Sequence, residues 1–445
     1  MKRIISYIGI LAVVLTMTAC SDDDSFTTDS ANVLTFTADT LKMDTVFSNV
    51  GSATYTFWAY NHTDKGIRLN SVRLKNGNQT GFRVNVDGSY LDNSLGAVVT
   101  NLEVRKGDSL RVFVELTSPE VNQLEPQMVA DDLVFQLESG TEQRVRLQAW
   151  AWDAEKWTDK VISRDTTIDT RVPIIIYGSG LRVDSGAVLT LRGTALYFHD
   201  GAGIDIYGRL EAEDCVMRGD RLDYMFDYLP YDRVSGQWRG LWFAPSSMGN
   251  MLTKTEIRNA TTGILLADSA AMDSTRLRLQ MSHCVVHNSK GHGLVSYHSN
   301  VLLEYCQLTN TLGDCLAVYG GNCVIDHCTL AQFYPFSGER GAALRFVANG
   351  DITFVCRNSI VTGYEEDVVM GEQSDTTAVM NYEFEDCLLR TPKVDGDTVS
   401  FRNIIWETPK DSIQGKQHFV NIDEENLYYD FHLDSLSTAQ GKGCY

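Results

Sequence analysis

The sequence predicts an all-β chain in two parts, an antiparallel β-sandwich followed by a right-handed parallel β-helix with three strands per coil. Three observations carry that prediction. Cys284, Cys306 and Cys328 recur every 22 residues. Each is followed two residues later by an apolar residue (Val286, Leu308, Leu330) and two further on by Asn288, Asn310 or Gln332. An earlier copy reads Thr255, Ile257, Asn259. A fixed period of this size stacks like residues on like, one coil above the next. The apolar runs are short and β-type, with little helical periodicity, so the coil is built of strands. Before residue 155 the pattern differs: short alternating runs are separated by turn-formers at the 8–12-residue spacing of a sandwich.

The chain opens with Lys2 and Arg3, an apolar run from Ile4 to Val14, and then Leu15-Thr16-Met17-Thr18-Ala19-Cys20. A basic start, a short apolar core and small residues at the cut describe a secretory leader over 1–19, too short to span a bilayer. Cysteine directly after Thr18-Ala19 resembles a bacterial lipobox. The resemblance implies cleavage before Cys20 and acylation there; the alternative is an ordinary leader with a chance cysteine. Ser21-Asp22-Asp23-Asp24 resembles the export signal that sends Bacteroidetes lipoproteins to the outer face of the outer membrane, and also reads as a solvated acidic tether. Residues 20–31 are thus the acylated cysteine and its leash.

The sandwich is expected over 32–155. Its runs include Tyr55-Thr56-Phe57-Trp58-Ala59-Tyr60, Leu110-Arg111-Val112-Phe113-Val114 and Leu133-Val134-Phe135. Asn61-His62-Thr63 and Lys106-Gly107-Asp108 are among the turns. The Tyr60-Asn61 strand end, the Gly107-Asp108 turn and a closing Val145-Arg146-Leu147-Gln148-Ala149 strand resemble immunoglobulin-like domains of the abnormal-spindle and hydin type. Such domains serve as spacers or protein-binding modules.

A polar linker is expected over 156–171 and the β-helix over 172–390. Ile174-Ile175-Ile176-Tyr177, Leu181-Arg182-Val183 and Val188-Leu189-Thr190-Leu191 read as the three strands of one coil. Gly178, Gly186, Gly193, Gly201 and Gly208 punctuate the corners, where positive φ is expected. Cys215, Thr255, Cys284, Cys306, Cys328, Ser359 and Cys387 align as one inward column, and Asn259, Asn288, Asn310 and Gln332 as a turn column whose amides bond up the ladder. Residues 391–445 read as the last irregular coils and a cap.

The formal charge is −20, and losing Lys2 and Arg3 with the leader makes it two charges more negative. No Lys/Arg cluster suited to phosphates occurs, so nucleic acid is not an expected partner. Ten cysteines include Cys20; the rest are an odd number and mostly fall in strands. Parallel Cβ vectors about 4.8 Å apart do not suit a disulfide, so a ladder of thiols is expected. With no C-x-x-C pair, neither metal nor cofactor is expected.

Taken with the Asp44-Thr45-Val46-Phe47 start and the Asp430-to-Gly443 ending, the chain resembles Bacteroidetes right-handed β-helix surface lipoproteins along nearly its whole length. The resemblance implies a location and a fold but no reaction. Asp29-Ser30-Ala31, Asp39-Thr40-Leu41 and Asp268-Ser269-Ala270 resemble the O-glycosylation sequon of that phylum.

Gly291-His292-Gly293 resembles the Gly-His-Gly of polygalacturonase-type glycosidases. Those enzymes also need a carboxylate pair; the preceding coil offers only Asp268 and Asp273, and the Arg-x-Lys that should follow is missing. His283, Tyr305 and His327, each before a ladder cysteine, read as an outward column. The insertion 218–238 is rich in rings, arginines and carboxylates. Arg221, Tyr224, Tyr228, Tyr231 and Trp238 are its candidate ligand-binding residues, for a glycan or a protein; a loop packed over the solenoid flank is the alternative. The expectation is a non-enzymatic binding or scaffold lipoprotein, held to the membrane through Cys20 and facing the cell exterior. Its partner would be a glycan or an outer-membrane β-barrel protein. The alternative is a β-helix polysaccharide lyase or glycoside hydrolase.

Overall fold

The computed structural model describes residues 25–226, 228–268, 275–407 and 415–445. The acylation site expected at Cys20 lies outside these residues, as do Asp227 of the insertion and Asp273. The chain divides into two compact units between Trp152 and Asp153.

The first unit is two sheets facing each other across an apolar core. One orders Phe26–Thr27, Gly66–Leu74, Gln127–Leu137, Glu142–Trp152 and Thr40–Phe47, with Val98–Val104 also on Gly66–Leu74. The other orders Thr35–Phe36, Tyr55–Tyr60, Ser109–Leu116, Phe82–Val86 and Ser89–Tyr90. Alternate residues point inward: Phe57, Val72, Val112, Phe135 and Leu147 share the core, while Arg68 and Arg146 stay outside in ion pairs. Asn61 ends its strand because its buried amide donates to the carbonyls of Lys65, Val104 and Arg105 at 2.8, 2.9 and 3.0 Å.

The second unit is the solenoid. Sheet 1 stacks 174–176, 195–198, 216–217, Glu256–Arg258, Val285–Ser289, Gln307–Thr311, Thr329–Gln332 and Ile360–Gly363 in parallel register. Sheet 2 includes Gly240–Phe243 and Ile264–Leu266, and sheet 3 includes Asn250–Thr253 and Leu279–Ser282. Leu294–Glu304, Leu316–Asp326 and Leu344–Arg357 bend continuously from sheet 2 into sheet 3. The stretch expected as a linker is instead the first coil: Glu155–Ile162 pairs with Ile174–Val183, and Thr166–Ile168 with 189–191. Its residues look linker-like because an end coil has a stacked neighbour on one side only, and most of that strand is exposed.

The cysteine column is buried and points inward: Cys215, Cys284, Cys306, Cys328 and Cys387, with Thr255 and Ser359 in the gaps. All nine cysteines of the described residues are free thiols. The residue before each ladder position sits in the left-handed region, with φ of 55° at His283, 53° at Tyr305 and 49° at His327. This turns the chain from sheet 3 to sheet 1 and sends its N–H to the next coil, as from His283 to the Glu304 carbonyl at 3.0 Å. The expected outward column is therefore a corner column. Its rings stack, His283 on Tyr305 at 4.9 Å and Tyr305 on His327 at 4.8 Å between centroids. Corner glycines divide into two kinds. Gly186 has φ of 85°, as expected. Gly208 does not need positive φ; a Cβ there would lie 2.2 Å from the Ala187 carbonyl oxygen, so close approach of coils selects it.

After Ile405–Trp406 the chain leaves the coil. A hairpin, Phe419–Asp423 with Tyr428–Leu433, folds back onto the outer face of sheet 1. Phe419, Phe431 and Ala439 bury against Phe333, Ile360 and Leu388 in a second small core. The tail then runs against the coil direction: the Gly443 N–H donates to Asn358 O at 2.8 Å, the Cys444 N–H to Thr329 Oγ1 at 3.2 Å, and Tyr445 Oη to Gln307 Oε1 at 2.9 Å.

Candidate functional site

The hairpin and tail cover only part of sheet 1. Where they stop, the outer face carries a pocket of about 410 Å³. Strand alternation builds its floor. Ile257, Val286 and Leu308 point into the solenoid and are fully buried. Their neighbours must point outward, which places Glu256 and Arg258, Val285 and His287, and Gln307 on three successive coils in register. One wall is Asp232 and Arg233 from the insertion; the other is Leu427, Tyr428 and Tyr429 of the hairpin, with Tyr445 at the tail. Arg233 closes the ring by donating to the carbonyls of Asn426 and Leu427.

Charges on the floor are matched. Arg258 Nη1 lies 3.3 Å from Glu256 Oε1 and 3.4 Å from Asp232 Oδ1. Asp232 Oδ1 also meets Arg218 Nη1 at 2.7 Å. Burial lowers the pKa of Arg218, and the Asp232 carboxylate opposes that shift. His287 Nδ1 is 2.8 Å from Thr309 Oγ1. Burial beneath the hairpin, reinforced by Arg258, pushes its pKa down to about 4, so the ring is neutral at physiological pH. Burial likewise holds the Tyr429 and Tyr445 hydroxyls above the ordinary phenol range. The arrangement offers aromatic faces above a floor of paired donors and acceptors.

The sequence-derived candidates fall elsewhere. Trp238 is a correction: it is fully buried, stacked on Phe198 at 4.1 Å, and its Nε1–H donates to the Arg258 carbonyl at 2.8 Å. It anchors the insertion to the core and is closed to a ligand. Arg221 is held bidentate by Asp223 at 2.8 and 2.6 Å and lies 4.2 Å over the Tyr231 ring. Those two residues brace the short turn Tyr231–Arg233 that presents Asp232 and Arg233. Tyr224 and Tyr228 are exposed on a small hairpin, Tyr228 with Phe226 at 5.6 Å, and neither lines the pocket. Glu256, Arg258 and His287 were not among the sequence candidates; their alternation with the inward Ile257 and Val286 was the signal that could have placed them outward. Nothing in the sequence said that Tyr428, Tyr429 and Tyr445 return to those coils.

His292 is part of a corner. Its Nδ1 accepts the Asp314 N–H at 3.0 Å, while the buried Asp314 carboxylate takes the Ala342 N–H at 2.7 Å and pairs with Arg345 Nε at 2.9 Å. Asp268 bonds His298 at 2.7 Å. Among the described residues, no group of three or more His, Cys, Asp or Glu is arranged to hold a metal ion, and no helix is long and apolar enough to cross a membrane.

This geometry defines a right-handed parallel β-helix with a pocket on its outer flank. Residues 163–330 match the family model described as a right handed beta helix region. No curated protein matches. Among solved structures, the chain is similar to a protein of unknown function from Porphyromonas gingivalis W83. The identity is 17%, over 30% of this chain and 50% of that one, with a TM-score of 0.20. The chain thus spans about half the length of that protein. It is also similar to the ASH/PapD-like domain of human CEP192, at 12% identity over 29% of this chain and 92% of that one, TM-score 0.20. A third is the catalytic domain of a GH87 alpha-1,3-glucanase in complex with tetrasaccharides, at 12% identity over 76% and 81%, TM-score 0.27.

Proposed function

We propose that this protein is a surface lipoprotein that binds a glycan in the sheet 1 pocket without cleaving it. The observation that carries the reading is the pairing of Tyr428 and Tyr445 with a floor of Glu256, Arg258 and Gln307 in one pocket of about 410 Å³. A sugar ring offers an apolar C–H face and a rim of hydroxyls. Aromatic walls with a few placed polar groups are what such a ligand needs, and the volume lies within the range of small-molecule sites, roughly 300–1,000 Å³.

Cleavage is less well supported. A glycosidic acid catalyst needs a carboxyl shielded from cations. Asp232 and Glu256, the two carboxylates of the pocket, both touch Arg258.

The lipobox at Cys20 and the acidic run after it support an outer-membrane anchor facing the exterior. In this reading the N-terminal sandwich is an immunoglobulin-like spacer, and an outer-membrane β-barrel is the protein partner proposed for the anchored molecule. The test is affinity electrophoresis of residues 25–445 in gels cast with neutral and acidic polysaccharides, with reducing ends assayed alongside. Retardation without new reducing ends supports the proposal. Release of new ends from any polysaccharide overturns the non-enzymatic reading, and mobility unchanged in every gel overturns binding.

A further inference from the structure

The asparagine column should form a continuous ladder, each amide donating to the one in the coil before it. It does so once, where Asn288 Nδ2 donates to Asn259 Oδ1 at 2.9 Å. The next step fails. Asn310 is 1% exposed, yet among the described residues neither its Nδ2 nor its Oδ1 has a hydrogen-bond partner. Gln332, one coil further, turns aside to the Gly313 and Gly341 carbonyls at 2.9 and 3.2 Å.

The break coincides with a narrow cavity of about 20 Å³ lined by both Asn288 and Asn310. The cavity shares Asp232, Arg233, His287, Leu427 and Tyr429 with the pocket, so the two adjoin. Tyr429 lines both spaces, and its buried hydroxyl also has no hydrogen-bond partner among the described residues. Leaving such buried groups unpaired is costly. A site that keeps an amide donor, an amide acceptor and a phenol unpaired beside a pocket is complementary to a hydroxyl.

We propose that Asn310 and Tyr429 read one hydroxyl of a neutral hexose, the hydroxymethyl oxygen. This rests on the glycan-binding reading and adds its specificity. A space of ~20 Å³ holds a group about the size of one water, so the sugar ring stays in the main pocket. Ring hydroxyls sit directly on the ring, and only the hydroxymethyl oxygen stands off by a further carbon. A 6-deoxy sugar would bring a methyl group to the same place and leave the amide and phenol unpaired.

The experiment measures calorimetric affinities of residues 25–445 for D-glucose and D-galactose and for their 6-deoxy forms, D-quinovose and D-fucose. The variants are Asn310→Gly, which suits the φ of 55° at this position, and Tyr429→Phe, which keeps the ring. For at least one pair, the wild type is expected to prefer the hexose about tenfold or more, as sites built to bond a hydroxyl do. Asn310→Gly should reduce the preference to about twofold or less, with Tyr429→Phe between. If Asn310→Gly does not fold, Tyr429→Phe alone decides. A preference unchanged in the folded variants, or absent from a wild type that binds both sugars, overturns the assignment and leaves glycan binding standing. Failure of the wild type to bind any of the four sugars overturns this assignment; whether the binding reading falls with it is decided by the polysaccharide gels.

Discussion

Tyr445 Oη donates to Gln307 Oε1 at 2.9 Å across 138 residues of sequence. The bond fixes the far end of the tail on the coil that floors the pocket, so the pocket depends on packing far from it. Phe431 holds that packing: it is buried, with its ring 5.1 Å from Phe419 and 6.3 Å from Phe333. Phe431→Ala is expected to cost about 3 kcal/mol in denaturant unfolding and to weaken glycan binding with it. Unchanged binding would mean that the hairpin does not shape the site.

Trp238 and Tyr228 should behave as opposites. Trp238→Ala removes a fully buried ring and its hydrogen bond, at about 3–5 kcal/mol. Tyr228 is 79% exposed, and Tyr228→Ala should stay within about 0.5 kcal/mol. Urea midpoints of the two variants check this, and a large loss for Tyr228→Ala would mean that the exposed hairpin is covered in solution.

His287 links stability to acid. Its folded pKa of about 4 is below the unfolded value of about 6.5, so between these values the unfolded chain binds more protons. The stability it contributes is complete above about pH 6.5, falls as pH falls, and is gone below about 4; it amounts to at most about 3 kcal/mol. His287→Asn should flatten the pH dependence of the urea midpoint between pH 4 and 6.5. An equal slope in the variant would assign that dependence to other groups.

The thiol ladder gives a chemical count. Burial holds the Cys215 and Cys306 thiols above their ordinary range, and pushes Cys315 and Cys323, which lie outside the column, up to about 12. The folded protein from residue 25 onward should react with Ellman's reagent slowly at pH 8, and should release nine thiols in guanidinium without reductant. Fewer than nine would reveal a disulfide.

The inward column was legible because Cys284, Cys306 and Cys328 hold one period, and a period needs no knowledge of distant contacts. The asparagine column was legible for the same reason, but its break at Asn310 was not, since that depends on where Gln332 turns. Alternation alone placed His283, Tyr305 and His327 outward but could not show that each occupies left-handed backbone. The first coil was missed because Glu155–Ile162 is mostly exposed and so lacks the apolar pattern of an inner coil. The pocket joins Glu256 to Tyr445, and no local pattern links residues that far apart. The insertion's rings drew attention to Trp238, whose composition suits a ligand as well as it suits the core that holds it.

The most direct measurement is a glycan microarray probed with residues 25–445 and with Tyr428→Ala, which removes an exposed pocket ring at little cost to the core. The account predicts saturable binding to a defined set of glycans by the wild type, reduced about tenfold or more in the variant. Binding that Tyr428→Ala leaves unchanged, or no binding across the array, would contradict it.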